Sequence, residues 1–383
     1  MNLKHTQNTK LKMRKYNLTS QLKSILCVFR LSPLALCLLL VSCTGNIKDT
    51  ESVNAFIGQM VAKHKFDKTE LDDLFTTVEI NQDILKKIAS PSEGLPWYKY
   101  RKIFLTEARI DAGVQFWRDN AAALAAAEQQ YGVPAEIIVA IIGVETLFGK
   151  NTGNHRVIDA LSTLAFAYPP RSKFFLGELE NFLLLCRDEH INPIDPIGSY
   201  AGAMGMPQFM PSSFRTYAVD FDNDNRRDIW HNNSDTIASV ANYFAKHHWQ
   251  TGQAIAVPVT VKGEASAPRQ LLLHCSTSCI HDSRAHAPRL HPVGENYKSA
   301  LNKDLKPNLS LTELESLNLI ISRQLPLDSK VKLLSFEQQQ QGEELWAALD
   351  NFYVITRYNH SPLYAMAVYQ LSLSILNKKG SFP

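Results

Sequence analysis

Six apolar residues in succession, Ile137-Ile138-Val139-Ala140-Ile141-Ile142, run straight into Gly143-Val144-Glu145-Thr146-Leu147-Phe148-Gly149. Such a run must be buried, and it constrains the fold more than any other stretch of the chain. Read at helical spacing, Ile137, Ile138, Ile141 and Ile142 share one face, and Glu145 falls on the same face. A carboxylate on the oily side of a helix is costly when ionised, so its pKa should rise. A carboxylic acid kept protonated near neutral pH is what a glycosidase needs to protonate a leaving oxygen. The alternative is a helix-end carboxylate whose head reaches solvent or pairs with an arginine.

Around this run the pattern is mainly α, with a smaller β part (α+β). Residues 44–55 are polar and read as a tether. From Val53 to about Gln130 the pattern is helical, broken at Pro91-Ser92-Glu93-Gly94-Leu95-Pro96. Ala121 to Glu128 strongly favours helix. Pro134 suits the first turn of the next helix, which should end near Phe148-Gly149. Residues 150–250 mix helices with long loops. One loop, from Ile197 to Ser213, is built of small residues and prolines that let a backbone approach a ligand. The alternation of Ile255, Val257, Val259 and Val261 predicts a strand, and 251–340 reads as a small β-rich domain. Residues 341–383 return to helix, with Trp346, Leu349 and Phe352 and then Tyr364 to Leu376. The expected division is 1–42 signal, 43–55 tether, 56–128 helical, 129–250 core, 251–340 β-rich and 341–383 helical again.

The N-terminus bears on the compartment. Residues 1–42 carry Lys4, Lys10, Lys12, Arg14, Lys15, Lys23 and Arg30 and no acidic residue, and end in the apolar stretch from Leu34 to Val41. A basic segment, a short apolar core and a small residue at the cut mark an export signal, and the core is too short for an ordinary membrane span. Leu40-Val41-Ser42-Cys43 resembles a bacterial lipobox, which would make Cys43 the lipidated first mature residue; a plain signal peptide cut nearby, or a retained anchor, is the alternative. Thr44 in place of Asp points to the outer membrane, with the protein on its periplasmic face. Met13 is an alternative start. Without the seven basic residues, 33 Lys and Arg face 37 Asp and Glu, a net of −4. Nothing in that charge suggests nucleic acid.

Among the remaining cysteines, Cys186 follows Phe182-Leu183-Leu184-Leu185 and is expected as a buried thiol. Cys275 and Cys279 favour a local disulfide in an oxidising compartment. His274 and His281 nearby leave a metal site as the alternative, although the spacing matches no common zinc pattern.

Three segments together resemble the lytic murein transglycosylase B family. They are Val144 to Gly149, Ser199 to Gly205 with Gln208 to Ser213, and Arg357 to Ala365, and their order and spacing match over roughly residues 55–380. The resemblance implies a core related to goose-type lysozyme, flanked by a helical and a small β domain. It also implies cleavage of the MurNAc–GlcNAc bond of peptidoglycan glycan strands without water, leaving 1,6-anhydro-muramyl ends. Glu145 is then the sole catalytic acid and base. Ser199 would support the substrate or the acid, Gln208 and Tyr243 would be polar cleft positions, and Tyr358, Asn359 and Tyr364 would form a wall. Arg171 would contact glycan or stem peptide. Without the family context the tyrosines read as core packing, and Ser199 and Gln208 as loop hydrogen bonding. Two other readings are a hydrolytic muramidase and a non-catalytic peptidoglycan-binding lipoprotein.

The segment Asp220-Phe221-Asp222-Asn223-Asp224-Asn225-Arg226-Arg227-Asp228 places oxygen ligands at alternate positions, like the first half of an EF-hand loop, with Arg226 offering its carbonyl. Asn225 stands at the turn glycine, where Asn tolerates the left-handed conformation. His231 stands where the closing Glu would be, and the resemblance points to Asp235 as the late ligand. The expected ion is a structural Ca2+. A helix N-cap before Ile237 is the alternative for Asp235, and a solvated turn for the Asp run.

Overall fold

Helix starts here are fixed by side chains that accept the first free amides. In the computed structural model, Thr50 accepts from Val53 N to open α1 (Glu51–His64), and Asp67 accepts from Thr69 N and Glu70 N to open α2 (Lys68–Thr76). The structure describes residues 47, 50–89, 94–262, 296–340 and 342–380. The export signal, Cys43, Thr44, the start of the tether, residues 91–93, and Cys275, Cys279 and their histidines lie outside the described residues. Residues from Asn46 onward form one compact unit. Among the described residues no helix is long and apolar enough to cross a membrane.

The helices continue with α3 (Gln82–Ala89), α4 (Trp97–Phe104), α5 (Glu107–Asp119), α6 (Ala121–Tyr131) and α7 (Ala135–Thr146). Gly132, at φ 72°, ends α6 in the left-handed conformation that glycine takes without cost. After α7 come β1 (His155–Arg156), α8 (Val157–Ala167), α9 (Ser172–Asp188), β2 (Ile197–Gly198), α10 (Pro211–Tyr217) and α11 (Asn233–Lys246). Strands β1 and β2 pair antiparallel. Gly153, at φ 102°, lies against this pair, and a Cβ there would sit 2.0 Å from the Gly198 carbonyl oxygen.

The helix α7 is buried on every side rather than on one face, because α5, α6, α11 and the C-terminal helix α14 (Pro362–Gly380) all pack around it. Burying each of its isoleucines contributes roughly 1.5–3 kcal/mol, which holds the helix at the centre of the core. Two details of the sequence reading shift. Pro134 is the residue before the first turn, and the helix stops at Thr146 because Leu147 is left-handed.

The sheet combines β3 (Ala256–Val261), β4 (Leu309–Ser310), β5 (Leu319–Ile321), β6 (Lys330–Glu337) and β7 (Glu343–Ala348) in the order β4-β6-β7-β3-β5. Every pairing is antiparallel. Val257, Val259, Leu333, Leu345 and Ala347 face a small core with Leu314 of α12 (Leu311–Ser316). Ala256, Leu334, Phe336, Trp346 and Ala348 face the main helical core. Helix then returns with α13 (Asp350–Tyr358) and α14. The expectation that Trp346 begins a helix is therefore corrected. Strand β7 is buried on both faces, so it carries no polar alternation and reads like a helix segment. Cys186 is a buried free thiol, as its apolar surroundings suggest.

Candidate active site

Glu145 occupies the last turn of α7. Protein surrounds its carboxyl closely, yet the residue keeps some accessible surface. Burial pushes its pKa up to about 7, opposed by the Tyr364 hydroxyl, which donates to Oε1 at 2.5 Å. No second carboxylate is among the groups that shift it. Tyr364, at the start of α14, and Tyr358, at the end of α13, are both pushed well above the tyrosine range. For each the cause is burial first and the Glu145 charge second. Both phenols are therefore neutral donors at physiological pH.

The chain leaves Glu145 through three successive left-handed residues, Leu147 (φ 51°), Phe148 (φ 58°) and Gly149 (φ 81°). Left-handed backbone costs a non-glycine residue about 1–2 kcal/mol, so the turn persists only because its surroundings hold it. Phe148 folds back over α7. A Cβ at Gly143 would come within 2.6 Å of its ring, which explains a glycine in the middle of this helix.

The loop predicted to approach the ligand lies beside this turn. Ser199 Oγ accepts from Ala201 N and from Ala203 N, at 3.3 and 3.0 Å. Gln208, at φ 52°, donates Nε2 to the carbonyls of Thr152 at 3.1 Å and Gly205 at 2.9 Å. Both side chains thus brace the loop. Tyr358 donates its hydroxyl to Pro207 O at 2.6 Å, and its ring lies 4.7 Å from that of Tyr243. The Tyr243 hydroxyl donates to Arg357 O at 2.6 Å, and its ring stacks on His247. Tyr243 therefore props the start of the Arg357–Ala365 segment instead of offering a free hydroxyl. Asn359 is exposed just past α13. Arg171, in the turn before α9, lays its guanidinium over Phe174 and Phe175, at 4.5 and 5.1 Å from the ring centroids.

Of the five expected metal ligands, the structure gathers three carboxylates. Oxygens of Asp220, Asp222 and Asp235 lie within 4.8 Å of one another. Asp235 is buried. Burial, and behind it the charges of Asp222 and Asp220, push its carboxyl up against the pull of the Phe221 and Asp228 amides. Asp224 falls outside this group, with Oδ1 accepting from Arg226 N at 2.9 Å. Asn225 takes φ 70°, as expected at the turn position. His231, at the usual closing position, sits 3.5 Å from Asp228. The crowded set of hard oxygens fits a hard divalent cation.

A cavity of about 420 Å³ lies between the turn after Glu145 and this acidic loop, lined by Gly149, Thr152, Ile197, Arg226 and Trp230 among others. Glu145 does not line it. The sequence reading missed two features of the site. One is the Tyr364–Glu145 contact, which spans 219 positions and leaves no local trace. The other is the Thr146 hydroxyl, whose signal is only a polar residue at the end of an apolar run.

An acid largely enclosed at the end of a core helix, beside two neutral phenols, can hand a proton to a leaving oxygen, and it stands on a mainly α fold. Comparison with known proteins supplies the family. The transglycosylase SLT domain matches residues 48–373. Membrane-bound lytic murein transglycosylase B of Escherichia coli (strain K12) is 38% identical over 341 residues, covering 86% of this chain and 84% of that protein. The catenated lytic transglycosylase SltB1 from Pseudomonas aeruginosa superposes with a TM-score of 0.76 at 44% identity, covering 87% of this chain and 99% of that one. The Escherichia coli lytic transglycosylase Slt35 in complex with calcium gives 0.73 at 37%, covering 87% and 95%. The chain belongs to the SLT-domain transglycosylase family, as its three motifs suggest, and is an enzyme of the lytic transglycosylase class with the lysozyme-like fold of that family.

Proposed function

We propose that this protein cleaves the β-1,4 bond between MurNAc and GlcNAc in peptidoglycan without water, with Glu145 acting first as acid and then as base. The observation that carries this reading is a single enclosed carboxyl, held at Oε1 by the Tyr364 hydroxyl, whose acidity no other carboxylate among the described residues shifts. Glycosidases with a carboxyl pair use the second group as nucleophile or base. Here the substrate fills that role. Glu145 gives its proton to the glycosidic oxygen, and GlcNAc leaves with a free 4-hydroxyl. The muramyl N-acetyl group stabilises the cationic C1. Glu145 then takes the proton of the C6 hydroxyl as O6 bonds to C1, which closes the 1,6-anhydro ring and restores the acid. Tyr364 holds Oε1, and Tyr358 with Asn359 forms the adjoining wall. Ser199, Gln208 and Tyr243 keep the loop and that wall in register, and Arg171 meets the glycan or its stem peptide. Residues 129–250 supply the lysozyme-like core, and the helical domain is assembled from both ends of the chain around a small β-rich domain.

Mass spectrometry of fragments released from purified sacculi tests this reading. Anhydro-muramyl ends, lighter by one water than reducing ends, are expected. Reducing ends would mean a hydrolytic muramidase, and no release a binding protein.

The acidic loop is proposed as a structural Ca2+ site, held by Asp220, Asp222 and Asp235, with Asp224 and the Arg226 carbonyl completing it once an ion draws the loop in. The relative crystallised with calcium supports this. An ion that binds only the folded state stabilises by roughly 2.7 kcal/mol at a hundredfold excess over its dissociation constant. Millimolar calcium should raise the melting temperature, and an Asp220→Ala, Asp224→Ala double variant should not respond. Equal melting curves in calcium and in chelator would reduce the loop to an acidic turn.

The lipobox, and the membrane-bound relative, support a lipid anchor at Cys43 facing the periplasm from the outer membrane. Cys43→Ser should leave the membrane fraction or fail to mature, and a processed, unlipidated variant that stays membrane-bound would refute the anchor.

A further inference from the structure

We propose that the Thr146 hydroxyl is a positioning group that locks the Glu145 turn onto the 205–208 loop. The inference rests on Glu145 being the acid and adds a residue to that site. Thr146 is fully buried, directly after Glu145, where a purely apolar residue would complete the core. Its Oγ1 donates to Met206 O at 2.9 Å and accepts from Gly149 N at 3.0 Å. One hydroxyl therefore bridges the helix end, the third left-handed residue beyond it and a loop 60 positions away. The more distant Ile142 carbonyl, at 3.3 Å, is the ordinary helical alternative for the same proton.

The far end of the tether is fixed. Met206 N donates to Ile229 O at 2.9 Å. Gly205, at φ 65°, packs so tightly there that a Cβ would lie 2.5 Å from the same carbonyl oxygen. Thr236 Oγ1 also donates to that oxygen, at 3.3 Å. Gln208 joins the loop to Thr152, on the segment that leaves the Glu145 turn. Thr146 thus anchors the turn that carries the acid to a loop that is itself held by three contacts. Losing the hydroxyl would take one partner each from the buried Met206 carbonyl and the half-buried Gly149 amide, and the turn would open to let water reach them.

The test compares Thr146→Val, which keeps the volume, with Thr146→Ser, which keeps the hydroxyl. Steady-state kinetics use solubilised, uncross-linked peptidoglycan strands, from pH 4 to 9, below the melting temperature of each variant. The titratable groups facing Glu145 are Tyr364 from α14 and Tyr358 from α13, and both stay neutral across this range. Thr146→Val is expected to lower kcat about tenfold with KM within twofold. Its alkaline limb should move to lower pH, because hydration returns the Glu145 carboxyl toward its ordinary range. Thr146→Ser should restore both. Unchanged kcat and an unmoved limb in Thr146→Val, with only a lower melting temperature, would overturn the proposal and leave Thr146 a core residue. Equal losses in the valine and serine variants would also overturn it. A parallel Glu145→Gln measurement separates the outcomes. If that variant stays active the acid itself is misassigned, whatever Thr146 does.

Discussion

Glu145→Gln should lose glycan cleavage by on the order of 10²–10⁴-fold while folding and binding glycan normally. The amide keeps the shape of the side chain and can still accept the Tyr364 hydroxyl at its oxygen. What it lacks is the proton. The same variant should reveal the cost of keeping an acid in this place. The carboxyl is pushed up to about 7 from an ordinary 4.5, so between those values the folded protein holds a proton that the unfolded chain has released. Stability from this group is complete below pH 4.5 and falls as pH rises to about 7. The penalty above that pH is on the order of 3 kcal/mol, since each pH unit of displacement is worth about 1.4 kcal/mol. Glutamine carries no such penalty. The variant should therefore melt higher than the wild type at pH 8, and the difference should vanish at pH 4. Activity within a few-fold of wild type would remove Glu145 from the chemistry. A melting difference that ignores pH would mean the carboxyl is not held in a desolvated state.

Glu145 was legible because helical periodicity put a carboxylate in an apolar stripe, and burial is what raises its pKa. Its partners were not legible in the same way. Tyr364 and Tyr358 lie more than 200 positions away, and only the family resemblance brought them to the cleft. The strand at Trp346 misled because a strand buried on both faces has lost the alternation that separates it from helix. The β1–β2 pair at His155–Arg156 and Ile197–Gly198 is too short to carry any pattern, although Gly153 marks its tight approach. For Ser199 and Gln208 the geometry agrees with loop bracing. A hydroxyl that accepts two amides of its own turn and an amide that ties two carbonyls are structural contacts first. The acidic loop showed its ligand types in sequence, but which carboxylates converge depends on the turns at Asn223 and Asn225, and these leave Asp224 facing Arg226 N.

Tyr364→Phe should lower kcat by about 10- to 100-fold and move the alkaline limb of the pH profile upward, opposite to the shift expected for Thr146→Val. The phenol donates to Oε1 at 2.5 Å, and that bond favours the ionised carboxylate. Removing it leaves burial unopposed, so the Glu145 pKa should rise further. First-step protonation needs the acid form, which then survives to higher pH. The rate nevertheless falls across the whole range. With Oε1 no longer held, the proton on the other oxygen is not aimed at the glycosidic bond, and the resulting base is less well placed to take the C6 proton. An added proton population cannot offset lost aim, because a misplacement of about 1 Å can cost on the order of 10²-fold. The pH–rate profiles of wild type and variant decide the matter. A limb that stays in place with wild-type kcat would make Tyr364 a wall residue only. A limb that moves downward would mean that the mutation admits water, and that Tyr364 serves chiefly to exclude it.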